Sequence, residues 1–515
     1  MNLPVSLSPD PCAMNKLLCV LLSGLCLMGA SQAQTPAQLQ AQARAKALEQ
    51  LLSDMDPAAK HLRLYRDRFE RYLREQQLAR PSAAHPLITF AATADTLGAP
   101  DTAPTQSATG SHVGGIRVTG DEHLNPGFVL ERLRQTPGEV LSIEQLEQDL
   151  IRFNALHEPQ LSATVSAGAQ SGQSDVAIDV HPAKRHSLMS FVDNAGSDSV
   201  GEARGGLIYR GSGLLGRDDT LQLMTSFTKG SETYGAKYSV PVNRDDLRLD
   251  VLVARGHIDV VNGPFVPLGI TGRSREVAVG LTQPFAVGLN EQWAGYARLS
   301  SRNSVDLLKG HAVPERELKV FSLGVSAESH RDSVVWTLDN SVNVGAKVFG
   351  GDDRFAYYRA NVARVDQLSQ RVQLLTRAAA QYSFDRVLPM GEQFQAGGLS
   401  TVRGFTEGLL SGRSGYALSA ELRAVAYAPP PESPAGLRPV VQVLSFFDHG
   451  AALPYRPGKS ITHDDYLTSA GVGCIVDFSR RVTTRVTAAW PIDHNPAEQR
   501  QRSPRVLAAM NIAWY

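Results

Sequence analysis

The chain has 515 residues, Lys plus Arg and Asp plus Glu both at 51, a formal net charge of zero and 43% hydrophobic residues. This balance excludes the broad positive field with which a protein recognises nucleic acid or an anionic bilayer surface, and no nucleic-acid partner is expected. The slightly negative mean hydropathy suits a soluble protein and equally a transmembrane β-barrel, whose lumen face is polar.

The apolar stretch Leu17 to Met28 follows Lys16 and ends at Ser31-Gln32-Ala33. A cationic start, a short apolar run and a small-x-small cleavage site read as a secretory signal peptide over residues 1–33. A membrane anchor needs about 20 apolar residues, more than this run offers. Leu18 precedes Cys19 and Leu25 precedes Cys26, where a lipoprotein site needs a small residue. Met14, shortly before Lys16, is an alternative start. Three of the four cysteines lie in or before this segment and leave Cys474, so no disulfide framework forms.

Residues 34–80 are rich in Ala, Gln, Leu, Arg and Glu, and Asp56-Pro57 divides them as an N-cap followed by a helix-compatible proline. Two helices are predicted. The second places Leu62, Tyr65, Phe69 and Tyr72 at helical spacing and has a basic polar face. That composition suits a periplasmic helix or short helical hairpin, and equally a segment seated in a polar lumen. Residues 81–112 turn to Pro, Ala, Thr, Ser and Gly and read as an extended linker.

Residues 113–183 form a small α+β unit. Val113 to Val118 is a strand, Pro126 to Leu133 a helix, and Ser142 with Gln145 has the spacing of a capping box before a second helix. Ile143, Leu146, Leu150 and Phe153 share one face of that helix, and strands at Leu161 to Val165 and Asp175 to Val180 complete a β-α-α-β-β order.

From 187 to 515 the period is two. Tyr234, Ala236, Tyr238 and Val240 alternate with Gly235, Lys237 and Ser239, and a polar turn at Asn243 to Asp246 leads into Leu247, Leu249 and Val251 alternating with Arg248 and Asp250. Trp336 to Val348, Val372 to Ser383, Leu418 to Ala426 and Val482 to Trp490 repeat the rhythm. A soluble β-sandwich also alternates, but its strands average five or six residues, shorter than these, and the chain stops on Trp514-Tyr515 at the end of a strand. The prediction is a transmembrane β-barrel of about 16 antiparallel strands, an even number, with Lys237, Arg248, Asp339 and Lys347 facing the lumen.

Gly397-Gly398-Leu399-Ser400-Thr401-Val402-Arg403-Gly404-Phe405, followed by Glu421-Leu422-Arg423, resembles the signature loop and next strand of the outer-membrane transporters of two-partner secretion, the ShlB, FhaC and HecB haemolysin secretion/activation proteins. Phe446-Phe447-Asp448-His449-Gly450 is similar to the family's second motif, a Phe-x-Asp-x-Gly strand on the barrel wall. Asp193-Asn194-Ala195-Gly196 and Tyr238 to Val240 with Asn243 extend the likeness, and the small unit resembles a polypeptide-transport-associated (POTRA) domain. The resemblance implies outer-membrane translocation of an unfolded secreted exoprotein, an adhesin, cytolysin or contact-dependent toxin, with the POTRA domain in the periplasm and the N-terminal helix as a pore plug. It further implies contact with outer-membrane lipid, and with the barrel assembly machinery and periplasmic chaperones during biogenesis. Members typically carry two POTRA domains where one is found here. Two readings stay beside secretion: an insertase that assembles other outer-membrane proteins, and a plain diffusion porin.

The site residues are expected to be Gly397, Gly398, Val402, Arg403, Gly404 and Phe405 in the loop and Phe446, Asp448 and Gly450 on the wall. The glycines let the backbone turn sharply at a close approach, and the Arg403 guanidinium is expected to hold Asp448 through two parallel hydrogen bonds. Phe446, Asp448 and Gly450 alternate and so share one strand face. No catalytic residue, cofactor or metal is expected. Gly-x-Ser-x-Gly, His-Glu-x-x-His and Cys-x-x-Cys do not occur, Gly458-Lys459-Ser460 lacks the upstream glycine of a phosphate loop, and the 13 histidines show no ligand spacing.

Overall fold

The structure, a computed structural model, describes residues 87–90 and 111–514 apart from 309–310, 332, 348–350, 352, 430–438, 457–459, 480 and 499–502. The signal peptide expected over residues 1–33 and the helical segment expected over 34–80 lie outside the described residues, as do Tyr515 and most of the expected linker.

The small α+β unit contains β1 (Ile88–Phe90), β2 (His112–Thr119), α1 (Pro126–Leu130), α2 (Ile143–Leu156), β3 (Gln160–Ala167) and β4 (Gln173–His181). Its sheet order is β1-β3-β4-β2, with β3 and β4 antiparallel and the outer pairs parallel. Asn125 and Ser142 cap the two helices, the Ser142 hydroxyl accepting from Gln145 N at 3.2 Å. Leu146, Leu150 and Phe153 bury the apolar face of α2 on Leu161, Val165 and Ile178. One expectation is corrected here: residues 88–90, read as linker, are a sheet strand. Leu87 and Ile88 pack on the unit's core, and the Thr89 and Thr164 hydroxyls lie 3.0 Å apart. Three residues are too few to show a period, so local composition masked a strand that tertiary contact defines.

The rest of the described chain is a closed barrel of sixteen antiparallel strands. They are β5 (His186–Asp193), β6 (Arg204–Ser212), β7 (Thr220–Phe227), β8 (Ser231–Pro241), β9 (Arg248–Asp259), β10 (Thr271–Val287), β11 (Glu291–Leu308), β12 (His311–Arg331), β13 (Val334–Gly345), β14 (Phe355–Ser369) and β15 (Val372–Ser383). After β15 the short strands β16 (Phe394–Ala396) and β17 (Leu410–Gly412) make a separate hairpin. The barrel resumes with β18 (Ser414–Tyr427), β19 (Val440–Leu453), β20 (Tyr466–Asp477), β21 (Val482–Pro491) and β22 (Arg505–Ala513). Pairing of β22 with β5, Ala509 opposite Asp193 to Ala513 opposite Met189, closes the wall.

The alternation read from the sequence becomes two faces. On β10, Val277, Val279 and Leu281 are exposed outward, while Glu276 and Ala278, which alternate with them, are buried. A charge placed on such an outer face near mid-membrane costs roughly 2–4 kcal/mol, which keeps the charges inside. Lys237 and Asp339 line a lumen cavity, and Lys237 pairs with Asp250 across the β8–β9 ladder at 3.4 Å. Arg248, two residues before Asp250 and so on the same strand face, sits at the rim of that lumen side, donating to Ser239 Oγ and to the Asp218 carbonyl, both at 3.1 Å. Lys347 lies past the end of β13 and is exposed, because the strand stops at Gly345 before the predicted alternation does. Strand parity puts the connections 213–219, 242–247 and 288–290 on the face that meets the small unit, where Asn125 N donates to Gly216 O at 3.0 Å. The connections 260–270 and 384–413 lie on the far face. Among the described residues no helix is long and apolar enough to cross a membrane.

Candidate functional site

Between β15 and β18 the chain leaves the wall at the far face and folds back into the barrel, with the β16–β17 ladder as a stem and residues 397–409 as its tip. The tip needs its glycines: Gly397, Gly398 and Gly404 have φ of 108°, 98° and 102°, a region that residues with a Cβ rarely adopt. At Gly404 an added Cβ would stand 3.2 Å from the Ser469 Cβ on β20, so the backbone lies directly against the wall. The Glu407 carboxylate folds back over Gly398 and accepts from Leu399 N at 2.9 Å.

Arg403 is 1% exposed. Its Nε donates to Asp448 Oδ2 at 2.7 Å and its Nη2 to Asp448 Oδ1 at 2.8 Å, a two-pronged bond, while its own backbone N donates to the same carboxylate at 3.1 Å. Nη1 donates to Glu421 and Nη2 also to Ser419 Oγ at 3.2 Å. The guanidinium lies 3.5 Å above the Phe446 ring, close enough for the ring face to attract the cation. Asp448 faces Ser419 in the β18–β19 register and Phe446 faces Glu421, so one patch of two strands supplies the whole cradle.

Val402 and Phe405 flank the arginine, fully buried with Ala396, Ala452 and Leu467. Gly450 makes room for Val402, whose Cγ2 would stand 3.0 Å from a Cβ there. Arg505 donates to the Phe405 carbonyl at 2.5 Å, and Glu498 accepts from Thr406 N at 2.6 Å. All nine residues singled out in the sequence thus meet in one place.

Sequence reasoning missed two parts. Glu421 was noted in a motif but given no role, yet it accepts from Arg403, from Arg423 at 2.7 Å and from Arg485 at 2.6 Å. Ser419, Glu421 and Arg423 at period two on β18 were the available signal. The second part is an anchor for the stem on the opposite wall. Arg302 on β11 lies between Glu276 at 2.9 Å and Glu392 at 3.2 Å, and Tyr357 donates to Glu392 at 2.5 Å. These four residues come from β10, β11, β14 and the loop, and no local spacing links them.

Beside the loop lies a lumen cavity of about 540 Å³, lined by wall charges such as Arg298, Asp339 and Arg377 and by Gln395 and Thr401 of the loop. Among the described residues no group of three or more His, Cys, Asp or Glu is placed to hold a metal. The arrangement is a mechanical fixture: a loop held across a polar pore by a buried cation at its tip and a partly exposed one at its stem.

The profile of the haemolysin secretion/activation protein family ShlB/FhaC/HecB matches residues 172–475. The Heme/hemopexin transporter protein HuxB of Haemophilus influenzae (strain 86-028NP) is 22% identical over 408 residues, which is 75% of this chain and 70% of that protein. The outer membrane transporter CdiB of Dickeya dadantii (strain 3937) is 24% identical over 381 residues, 69% of this chain and 65% of that protein. Among solved structures, CdiB from Escherichia coli has a TM-score of 0.69 at 19% identity, covering 94% of this chain and 100% of that one. BamA from Haemophilus ducreyi lacking POTRA domains 1-3 has a TM-score of 0.58 at 14% identity, covering 78% and 85%. These structural likenesses establish a common barrel fold.

Proposed function

The chain belongs to the haemolysin secretion/activation family of ShlB, FhaC and HecB, outer-membrane transporters that act with a secreted partner, and we propose from that premise how its own residues serve translocation. The partner is an unfolded exoprotein of the adhesin, cytolysin or contact-dependent toxin class. It enters from the periplasm beside the small POTRA-like unit and leaves through the lumen that loop 397–409 crosses. Folding outside the cell drives it, since the periplasm supplies no ATP.

The observation that carries this reading is the burial of Arg403 on Asp448 and Glu421. A permanent cation held by two carboxylates keeps the loop in one place across the pore, and removing one member strands a buried charge. The loop is therefore the part whose position decides whether a chain can pass. The small unit supports capture, because a sheet edge offers backbone groups to any extended segment while side-chain pockets add selectivity. Residues 34–80 are proposed to plug the lumen at rest. The assembly machinery, periplasmic chaperones and outer-membrane lipid are biogenesis partners in this reading. The insertase alternative rests on the fold shared with BamA, and a diffusion porin needs neither the loop cradle nor a periplasmic unit.

The test is co-expression with a candidate exoprotein, a long secreted β-helical protein encoded by a neighbouring gene, reading its appearance in the medium. Arg403→Ala is expected to stop export while the unboiled barrel still migrates faster than the boiled one in SDS gels. Full export by Arg403→Ala would remove the loop from the mechanism.

A further inference from the structure

The joint between the small unit and the barrel contains a second buried cation. His157 caps α2, and its side chain has no exposed surface. Nδ1 lies 2.9 Å from Asp218 Oδ2 in turn 213–219, and Nε2 lies 3.1 Å from Asp246 Oδ1 in turn 242–247. An ionised carboxylate only accepts hydrogen bonds, so both ring nitrogens donate and the ring is an imidazolium spanning two barrel turns.

The turns are shaped for this contact. Among the described residues Asp218 and Asp246 are the two non-glycine residues with positive φ, 53° and 65°. That left-handed backbone is uncommon for any residue with a Cβ, although aspartate tolerates it better than most. Here each turn uses it to aim a carboxylate at the same imidazole. Two independent strained turns converging on one side chain are hard to explain as packing alone.

The surroundings are charged on every side. From the small unit, Arg132 donates to Asp246 at 2.6 Å and to the Asn243 carbonyl at 2.9 Å, and Arg152 reaches the Asp245 carbonyl at 3.2 Å and Asp246 at 3.5 Å. From the barrel, Arg248 on β9 reaches Asp218 at 3.5 Å, and Arg210 on β6 pairs with Glu158. Tyr238 on β8 donates to Asp219 at 2.8 Å. Burial works to raise the Asp246 carboxyl, but the His157 bond and charge, followed by Arg132, outweigh it and hold the group below the usual carboxylate range. The unit's buried apolar core is built from its own residues, and no such cluster spans the joint among the described residues. Charge and hydrogen bonding therefore set the orientation of the docked unit.

We propose that His157 is a positioning residue for translocation, a charged pin that holds the small unit in one orientation at the mouth of the barrel. The orientation matters for transport only if the transport reading holds; the pinning stands on geometry alone. The charges also predict which partner depends on it most. Asp246 keeps its pairs with Arg132 and Arg152 when the imidazolium is lost, whereas Asp218 keeps only the long 3.5 Å pair with Arg248 and the more distant charge of Arg210.

The test uses the whole chain, with Cys474→Ser and spin labels on Gln170→Cys in the small unit and Leu289→Cys on the barrel turn, both exposed positions. The parent is expected to give one narrow inter-label distance. His157→Phe keeps a ring to pack against Phe128 and Phe153 but donates nothing, so the small unit folds while the pin is gone. The distance distribution should broaden, and export of the neighbouring exoprotein should fall about tenfold with the barrel's gel mobility unchanged. His157→Gln should behave likewise, and adding Asp218→Asn to it should restore a narrow distance and most of the export, because the stranded carboxylate is then neutral. A narrow distance in both His157 variants overturns the pin, and so does failure of Asp218→Asn to rescue, which would mark a packing role. Broadening with undiminished export overturns the role in translocation. If the parent itself exports nothing, the transport reading fails instead, and the distances still decide the pin.

Discussion

Two buried cations, each gripped by two carboxylates, hold the loop and the small unit in place, and they are built differently. Arg403, at the loop tip, lies against the barrel wall, where Asp448 and Glu421 are fixed by the β18–β19 register. His157 lies between Asp218 and Asp246 on turn tips with left-handed backbone. A guanidinium cannot lose its proton and presents a planar fork, so the wall site is permanent in charge and directional in shape. An imidazolium has two donors on opposite edges and suits a bridge between separate turns. A rigid sheet thus carries the grip whose geometry must not drift, and turns carry the grip between domains.

The largest effect expected is from breaking the wall site outright. Arg403→Ala or Asp448→Ala leaves an uncompensated buried charge, a cost of about 3–5 kcal/mol. Each should abolish export and raise single-channel conductance in planar bilayers, and the double variant should be no worse than either single one. Additive losses would mean that the two residues act separately. Arg403→Lys sharpens the contrast, since it keeps the charge and loses the fork. The expected loss is about 1–3 kcal/mol, read as partial export with intermediate conductance.

The stem anchor should matter less, because the β16–β17 ladder and the tip still hold the loop. Glu392→Gln removes one of two carboxylates on Arg302 and should raise conductance measurably without stopping export. Conductance equal to that of Arg403→Ala would make the stem the principal hold. Acid should act on the domain joint through Asp246. Its carboxyl is held below its ordinary value of about 3.9, so its contribution is fully present above that pH and lost as the pH falls through the lower folded-state value. The distance between labels at 170 and 289 should therefore broaden only in strongly acidic solution, and broadening already near pH 5 would assign the change to another group. Smallest of all, Lys237→Ala breaks a partly exposed lumen pair with Asp250 and should cost about 0.2–1 kcal/mol, with little change in thermal stability.

The barrel was legible because alternation over many residues has few other meanings: Val277, Val279 and Leu281 outward with Glu276 and Ala278 inward is a pattern that a short window already shows. The tip of the loop was legible for a different reason. Its glycines, Arg403 and the Phe446, Asp448 and Gly450 set are contiguous or alternate, so their chemistry sits in short stretches of chain. What escaped was assembled across the sheet. Arg302, Glu276, Tyr357 and Glu392 meet only after β10, β11 and β14 are in register, and His157 acquires its role from two turns of another domain. Strand β1 escaped because three residues in a proline-rich stretch carry no period.

Parity of the strands also decides what can be reached from which side of an intact cell. An even count returns the last strand to the compartment from which the first departed, so the two sets of connections never mix. An epitope inserted at 260–270 would be stained by antibody on living bacteria, and one at 242–247 only after the envelope is opened. Because loop 384–413 also springs from the outward set, a biotin acceptor near its base offers a handle by which the pore could be gripped by reagents too large to cross the membrane.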